Sequence, residues 1–235
     1  SLKSAIVEVE IPTDVAIAGV IHKIASENNI KFNISGGNLA TEGILPYLWF
    51  YDCKDLRLLK SIQKRFGKNN LKTFPDFGYR KEIYYKLIRR IRLIYLLNYL
   101  PYSKEDAIKT LENEVNWKNY GGKHHESVYT RFVQSYFQPV KFNLDYRRAT
   151  FSTQICTGEI TREYALEELR KKSYDPEKIE AEKDYIAKKL GITLKEFEEI
   201  MQSPPKSYKD YPNNEKKLKF LYGVYKRYFS IFKLW

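Results

Sequence analysis

Sulfur and histidine are scarce. The 235 residues hold one Met, two Cys and three His. Cys53 and Cys156 stand far apart with no CxxC neighbour. That excludes a zinc knuckle and a disulfide scaffold, no metal site is expected, and a reducing, cytoplasmic compartment suits the chain. No apolar run reaches the ~20 residues that a membrane span requires, and the opening residues do not read as a signal peptide. The expected location is cytoplasmic, at most peripheral to the inner membrane. No GxxxxGKS/T pattern is present, which excludes a P-loop. There is no convincing internal repeat. Acidic residues are the minority, 29 against 41 Lys and Arg, for a net charge of +12. An excess of this size favours polyanionic partners such as nucleic acid, nucleotide phosphates, acidic sugars or an anionic membrane surface, without choosing among them.

Aromatic residues are abundant, with 20 Tyr and 13 Phe, and the hydrophobic fraction of 43% is that of a globular chain. The length suffices for one large domain or two small ones. The first forty residues read as strand, helix, strand. Ala5 to Val9 is a short apolar run. Pro12-Thr13-Asp14 starts a helix with Ile17, Val20, Ile21 and Ile24 at helical spacing. Ile30 to Ile34 then alternates and stops at Ser35-Gly36-Gly37. This order predicts a βαβ unit with a parallel sheet, and ligands of such sheets bind beyond the carboxyl ends of the strands. Two or three strands do not make a covered parallel sheet alone, so further strands are expected from a partner or from an earlier part of a longer protein.

From residue 53 the pattern turns helical. Asp55 to Phe66 is predicted to end at a left-handed Gly67. Tyr79 to Leu97 reads as one long basic helix, and Ser103 opens another through Val115. "ESVYTRFVQSYF" brings Val128, Phe132 and Phe137 near one face. Lys141 to Cys156 ends at Gly158, and Asp175-Pro176 starts a helix that closes at Gly191. Thr193 to Glu196 forms a capping box. Pro204-Pro205 breaks the chain before a basic aromatic tail. The expected division is 1–52, an α/β nucleotide-binding part, and 53–235, mostly helical.

Two loops concentrate polar chemistry. In "ISGGNLATE" the glycines let backbone N–H groups approach an anion, and Asn38, Thr41 and Glu42 offer hydrogen bonds. The plain alternative is a tight strand-to-helix turn. In "YGGKHHES" (120–127), Lys123 and the histidines donate to phosphate or carboxylate, and Glu126 orients a histidine or takes a proton. The plain alternative is a surface loop before a charged helix start. Tyr129, Arg131, Arg147 and Arg148 follow as candidate substrate contacts.

The runs "IPTDVAI", "ISGGNLATEGILP", "YGGKHHESVYTRF", "KFNLDYRRATFSTQICTGEITREYALEEL" and "PPKSYKDYPN", in that order from about Leu2 to Asn213, resemble the N-acetyl sugar amidotransferases. These belong to the pyrophosphatase-loop ATP-dependent group. The resemblance implies an adenine-nucleotide-hydrolase-like α/β fold followed by a helical region. It also implies conversion of a sugar N-acetyl group to an acetamidino group for lipopolysaccharide O-antigen or flagellin glycans. ATP, with Mg2+, would activate the acetyl oxygen, and ammonia from a glutaminase would displace AMP. A nucleotide sugar is the implied substrate.

On that resemblance Asp14, Ser35, Gly36, Gly37, Asn38 and Glu42 line the nucleotide cleft. Lys123, His124 and Glu126 match the family's second loop, and side-chain chemistry, rather than the resemblance, assigns Lys123 to phosphate or developing negative charge and His124 or Glu126 to proton transfer. The SGGxDS loop and the cysteine-rich segment of the family are absent from this sequence. The chain therefore matches the C-terminal part of the pattern and is expected to be nearly inactive alone. Rival readings are an RNA-binding module driven by charge and stacking, for which nucleic acid as partner is the weaker expectation, and a non-catalytic scaffold for a glutaminase.

Overall fold

The protein is described by a computed structural model that covers residues 1–39, 42–118 and 125–229. Helix α1 spans Ile11–Glu27, with Pro12 in its first turn where the missing N–H costs nothing. Its buried face is Ile11, Val15, Gly19 and Ala25, whereas Ile17, Val20, Ile21 and Ile24 point to solvent. This reverses the expected face. Close approach decides it: a Cβ on Gly19 would sit 2.1 Å from the carbonyl oxygen of Pro75. The small-residue side thus seats against the 75–85 segment, and His22 lies 4.5 Å from the Phe77 ring.

Strand β1 (Phe32–Ser35) pairs in parallel with β2 (Arg92–Tyr95), in the register Phe32 to Arg92 through Ser35 to Tyr95. The molecule is mixed α/β, mainly helical, with this small parallel sheet. The expected strand at Ala5–Val9 does not form. That segment is buried and wedged between two cores instead. Leu2 and Val9 enter a cluster with Phe132, Phe137, Ile186 and Phe197, while Ile6 joins Ile11, Val15, Leu58, Leu59, Ile62, Phe77 and Tyr211. Its carbonyls bond to neighbours that are not strands: Lys206 N donates to Ala5 O (2.8 Å) and Gln138 Nε2 to Val7 O (3.2 Å), while Tyr211 Oη donates to Ser4 O just before it (2.7 Å). The second core crosses residue 52, joining α1 to the helical region.

Helix α2 (Leu56–Phe66) is capped by Asp55 and ends at Gly67, whose φ of −77° is not left-handed. The long basic helix expected over 79–97 is divided. α3 (Tyr79–Ile83) passes into a π-helical turn (Tyr84–Ile88), Arg90 takes a positive φ of 57°, and the chain enters β2. Parallel pairing with β1 overrides helix propensity in this β-branched and aromatic run. α4 (Lys104–Val115) starts at its Ser103 cap.

α5 (Val128–Phe132), a π-turn (Val133–Phe137) and α6 (Gln138–Phe142) form one continuous rod. The extra residue of the π-turn is what brings Phe132 and Phe137, five apart, into the same core. The expected single helix over 141–156 breaks at Asn143, with φ 55°, and restarts at the Asp145 cap as α7 (Tyr146–Cys156). α8 (Arg162–Arg170), α9 (Ile179–Leu190), α10 (Leu194–Gln202) and α11 (Glu215–Phe229) complete the fold. α9 begins a turn after Asp175-Pro176 and stops at a left-handed Gly191. α10 carries the expected box, with Thr193 and Glu196 capping reciprocally.

Candidate functional site

β1 delivers Ser35-Gly36-Gly37-Asn38 to the carboxyl end of the parallel pair, beside Tyr95 at the end of β2. Gly37 N donates to Ser35 Oγ (3.1 Å), which tightens the turn. A Cβ on Gly37 would lie 3.0 Å from the Tyr95 ring, so this glycine lets the turn fold onto the aromatic face. Gly36 has open space where a Cβ would be. Asn38 is buried, and Leu39 N donates to Asn98 Oδ1 (2.9 Å). Thr41 lies outside the described residues.

Beyond Glu42 the chain runs onto α7. Ile44 N donates to Thr153 Oγ1 (3.0 Å), and Gly43 sits so close that a Cβ would be 2.8 Å from Thr150 N. Trp49 then meets the Tyr146 ring edge-on at 6.1 Å. Tyr146 opens onto the amino end of α1, where the sequence "VEVEIPTD" gathers acids. Burial first, then the charges of Glu8, Glu10 and Asp14, push the Tyr146 hydroxyl up to about 12. Asp14 also belongs to the acidic surroundings of Cys53, whose thiol burial and Asp52 raise to about 11. A cysteine held so far above neutrality is no nucleophile.

The helix that follows "YGGKHHES" reaches the same acidic end. Ser127 caps α5 by accepting from Thr130 N (3.2 Å), and Thr130 Oγ1 donates to Glu10 Oε1 (2.7 Å). Tyr129 is half-buried, and burial and Glu10 raise its pKa. Glu126 is exposed and His125 is half-buried. Lys123 and His124, with both glycines of that loop, lie outside the described residues.

Two of the arginines expected at the substrate are engaged elsewhere. Arg131 pairs with Glu182 at 2.7 Å. Arg147 holds Asp145 through Nε and Nη2, and donates to the carbonyls of Glu168 (3.2 Å) and Lys171 (3.0 Å). Arg148 is exposed. The structure thus gathers Asp14 and Tyr146 at the amino end of α1, joins the start of α5 to that end through Glu10, and seats residues 43–44, just after Glu42, on α7.

Sequence reasoning missed Glu8, Glu10, Gln138 and Tyr146. The doubled "VEVE" acids were the available signal, but their segment reads as a short apolar strand. It also missed a second polar cluster. There Tyr222 Oη donates to Asp52 Oδ2 (2.6 Å), and Lys54 pairs with Glu82 (3.0 Å) while lying over the rings of Tyr79 and Tyr222. Two open grooves of about 430 and 480 Å³ run along α11, lined chiefly by Lys216, Lys217, Phe220 and Leu221 and by Arg57, Lys209 and Asn214. Their linings include none of the site residues named above.

Among the described residues no helix is long and apolar enough to cross a membrane, and no group of three His, Cys, Asp or Glu could hold a metal ion. No curated protein and no solved structure matches the chain. Residues 126–226, from Glu126 through most of α11, match the family described as LPS biosynthesis protein WbpG-like, C-terminal domain, in agreement with the family that the sequence motifs resemble.

Proposed function

We propose that the chain is the C-terminal part of an ATP-dependent amidotransferase that converts a sugar N-acetyl group to an acetamidino group in surface-glycan biosynthesis. The observation that carries this reading is the match of residues 126–226 to an LPS-biosynthesis C-terminal domain. The ordered motifs that begin well before it extend the resemblance. The glycine turn supports it, because α/β sheets hold ligands beyond their strand ends. In an adenine-nucleotide-hydrolase-like arrangement, Ser35 to Asn38 and Glu42 would border the nucleotide, with the open space at Gly36 admitting phosphate. Bound ATP with Mg2+ would supply the adenylyl group that activates the acetyl oxygen.

Lys123 would meet developing negative charge, and His124 or Glu126 would take the proton from ammonia supplied by a glutaminase. Tyr129, Arg131, Arg147 and Arg148 border the region proposed for the nucleotide sugar. The ion pairs of Arg131 and Arg147 make them shapers of that wall, while exposed Arg148 is the better direct contact.

The pyrophosphate loop would come from an SGGxDS-bearing part. Uncovered apolar side chains support its docking here: Phe32 and Ile34 on one face of the sheet, Leu93 on the other, and Ile17 and Ile24 on α1 are all about half exposed or more. Parallel sheets are normally covered on both faces. The test is ATP–pyrophosphate exchange with N-acetylated nucleotide sugars. The chain alone should be nearly silent, since losing even one charge-stabilising donor costs ~10²–10³ in rate. Adding the SGGxDS-bearing part and ammonia should restore turnover, and Lys123→Ala should then lower the chemical step more than nucleotide binding. Robust exchange by the chain alone would refute the dependence, and silence in every combination would refute the activity.

A further inference from the structure

Two acceptor atoms near the amino end of α1 are sealed from solvent without a donor: Glu8 Oε2, on a carboxyl group that otherwise accepts from the backbone of Glu8 and Tyr51, and Gln138 Oε1. Gln138 is only 4% exposed. Its amide orientation is set by its neighbours, because Nε2 donates to Val7 O (3.2 Å) and reaches Tyr146 Oη at 3.5 Å. Turning the amide over would set Oε1 against the Val7 carbonyl, acceptor against acceptor. The carboxamide therefore ends between the residue before Glu8 and a tyrosine whose charged neighbours are Glu8, Glu10 and Asp14. A buried polar atom is normally satisfied, and a buried carboxylate oxygen above all.

We propose that Glu8 and Gln138 hold a small monovalent cation, ammonium or potassium, between the 7–8 segment and α6. Both unsatisfied atoms here are acceptors, which selects a cation or a multiple N–H donor over an anion or an apolar group. Single charge follows from the donor set. Glu10 already accepts from Thr130, and no three His, Cys, Asp or Glu among the described residues are grouped to hold a metal ion. A divalent ion would demand more carboxylate oxygens than Glu8 offers. A bound cation would also offset the desolvation of Glu8, which otherwise disfavours its charged form. The site stands on these two residues and does not depend on the amidotransferase reading.

The test is thermal unfolding of the full chain at pH 7.5 and constant ionic strength, with tetramethylammonium chloride replaced stepwise by ammonium, potassium or sodium chloride. Tm should rise saturably with ammonium or potassium, by about 3–6 °C at ten times the Kd, and the response to the preferred ion should vanish in Glu8→Gln. Nitrogen-15 ammonium NMR separates the two sources: a bound signal displaced only weakly by potassium identifies ammonium, and its ready displacement identifies a potassium-type site. Identical melting in all salts with no bound ammonium signal would overturn the proposal, leaving water or a proton on Glu8 to serve both acceptors. A salt response that survives in a folded Glu8→Gln protein would overturn it too. If that variant does not fold, the wild-type salt series and the NMR signal still decide.

Discussion

Asp55 and Asn214, 159 residues apart, are joined by two hydrogen bonds: Asn214 N and Nδ2 donate to the two carboxylate oxygens of Asp55 (2.5 and 2.9 Å). The same carboxylate accepts from Tyr51 Oη (2.7 Å) and caps α2 through Arg57 N (2.9 Å). One side chain, 1% exposed, thereby ties the start of α2 to the start of α11.

Asp55→Ala should consequently be among the most damaging single changes. It removes a helix cap worth ~1 kcal/mol and strands several donors of charge-assisted bonds, so a loss of about 3–5 kcal/mol is expected. Urea unfolding midpoints measure it. Asp55→Asn, which keeps the shape and part of the acceptor set, should fall between. A loss below about 1 kcal/mol for the alanine variant would mean that α11 does not depend on this link.

Acid unfolding should carry an identifiable contribution from Glu196. The Thr193 backbone N–H, then the Lys3 amino group at 2.9 Å, hold its carboxyl near pKa about 2, below the ordinary 4.5. A depressed folded pKa gives stability that is present above pH 4.5 and lost as pH falls toward about 2. Glu196→Gln should therefore be less stable than wild type at pH 6 and equal to it near pH 2. Glu8 runs the other way. Burial raises its pKa, so its contribution is present at low pH and lost as pH rises through the raised value. In tetramethylammonium buffer, Glu8→Gln should gain on wild type toward neutral pH. Urea midpoints between pH 2 and 7 read both signs.

Gly19→Ala should destabilise although alanine is the better helix former by ~1 kcal/mol. The new methyl would press on the backbone oxygen of Pro75 at 2.1 Å, and a backbone cannot swing aside as a side chain can. A net loss of about 1–3 kcal/mol is expected by thermal or urea unfolding. A stabilised variant would show that α1 does not seat against residues 75–76.

Arg147 and Arg148 should separate cleanly. Arg147→Ala removes the pairing with Asp145 and two carbonyl contacts across to α8, for a loss of about 1–2 kcal/mol. Arg148→Ala should leave stability within about 0.5 kcal/mol. If Arg148 meets the nucleotide sugar, the same variant raises KM in the reconstituted enzyme with kcat unchanged. An unchanged KM removes it from the site.

Local chemistry was legible in the sequence because its partners are a few residues apart. The caps at Ser103 and Thr193 with Glu196, the helix stop at Gly191, and the glycine turn after β1 each follow from one short stretch. The polar helix start behind "YGGKHHES" is of this kind, with Ser127 as its cap.

Tertiary structure decided whatever rests on distant partners. Ala5–Val9 has the composition of a strand, but two cores claim its side chains and Lys206 and Gln138 claim its carbonyls. Arg92–Tyr95 sits in a helix-like basic run and becomes a strand because β1 offers it a ladder. The inward face of α1 was set by how closely Pro75 approaches Gly19, which periodicity does not encode. Glu8 and Gln138 are 130 positions apart, and only the packing of α6 against the 7–8 segment makes both of them neighbours of Tyr146. The amino-acid order by itself determined caps, turns and charge. Packing decided which faces are buried and which acids meet, because burial is a property of pairs of surfaces that no single stretch contains.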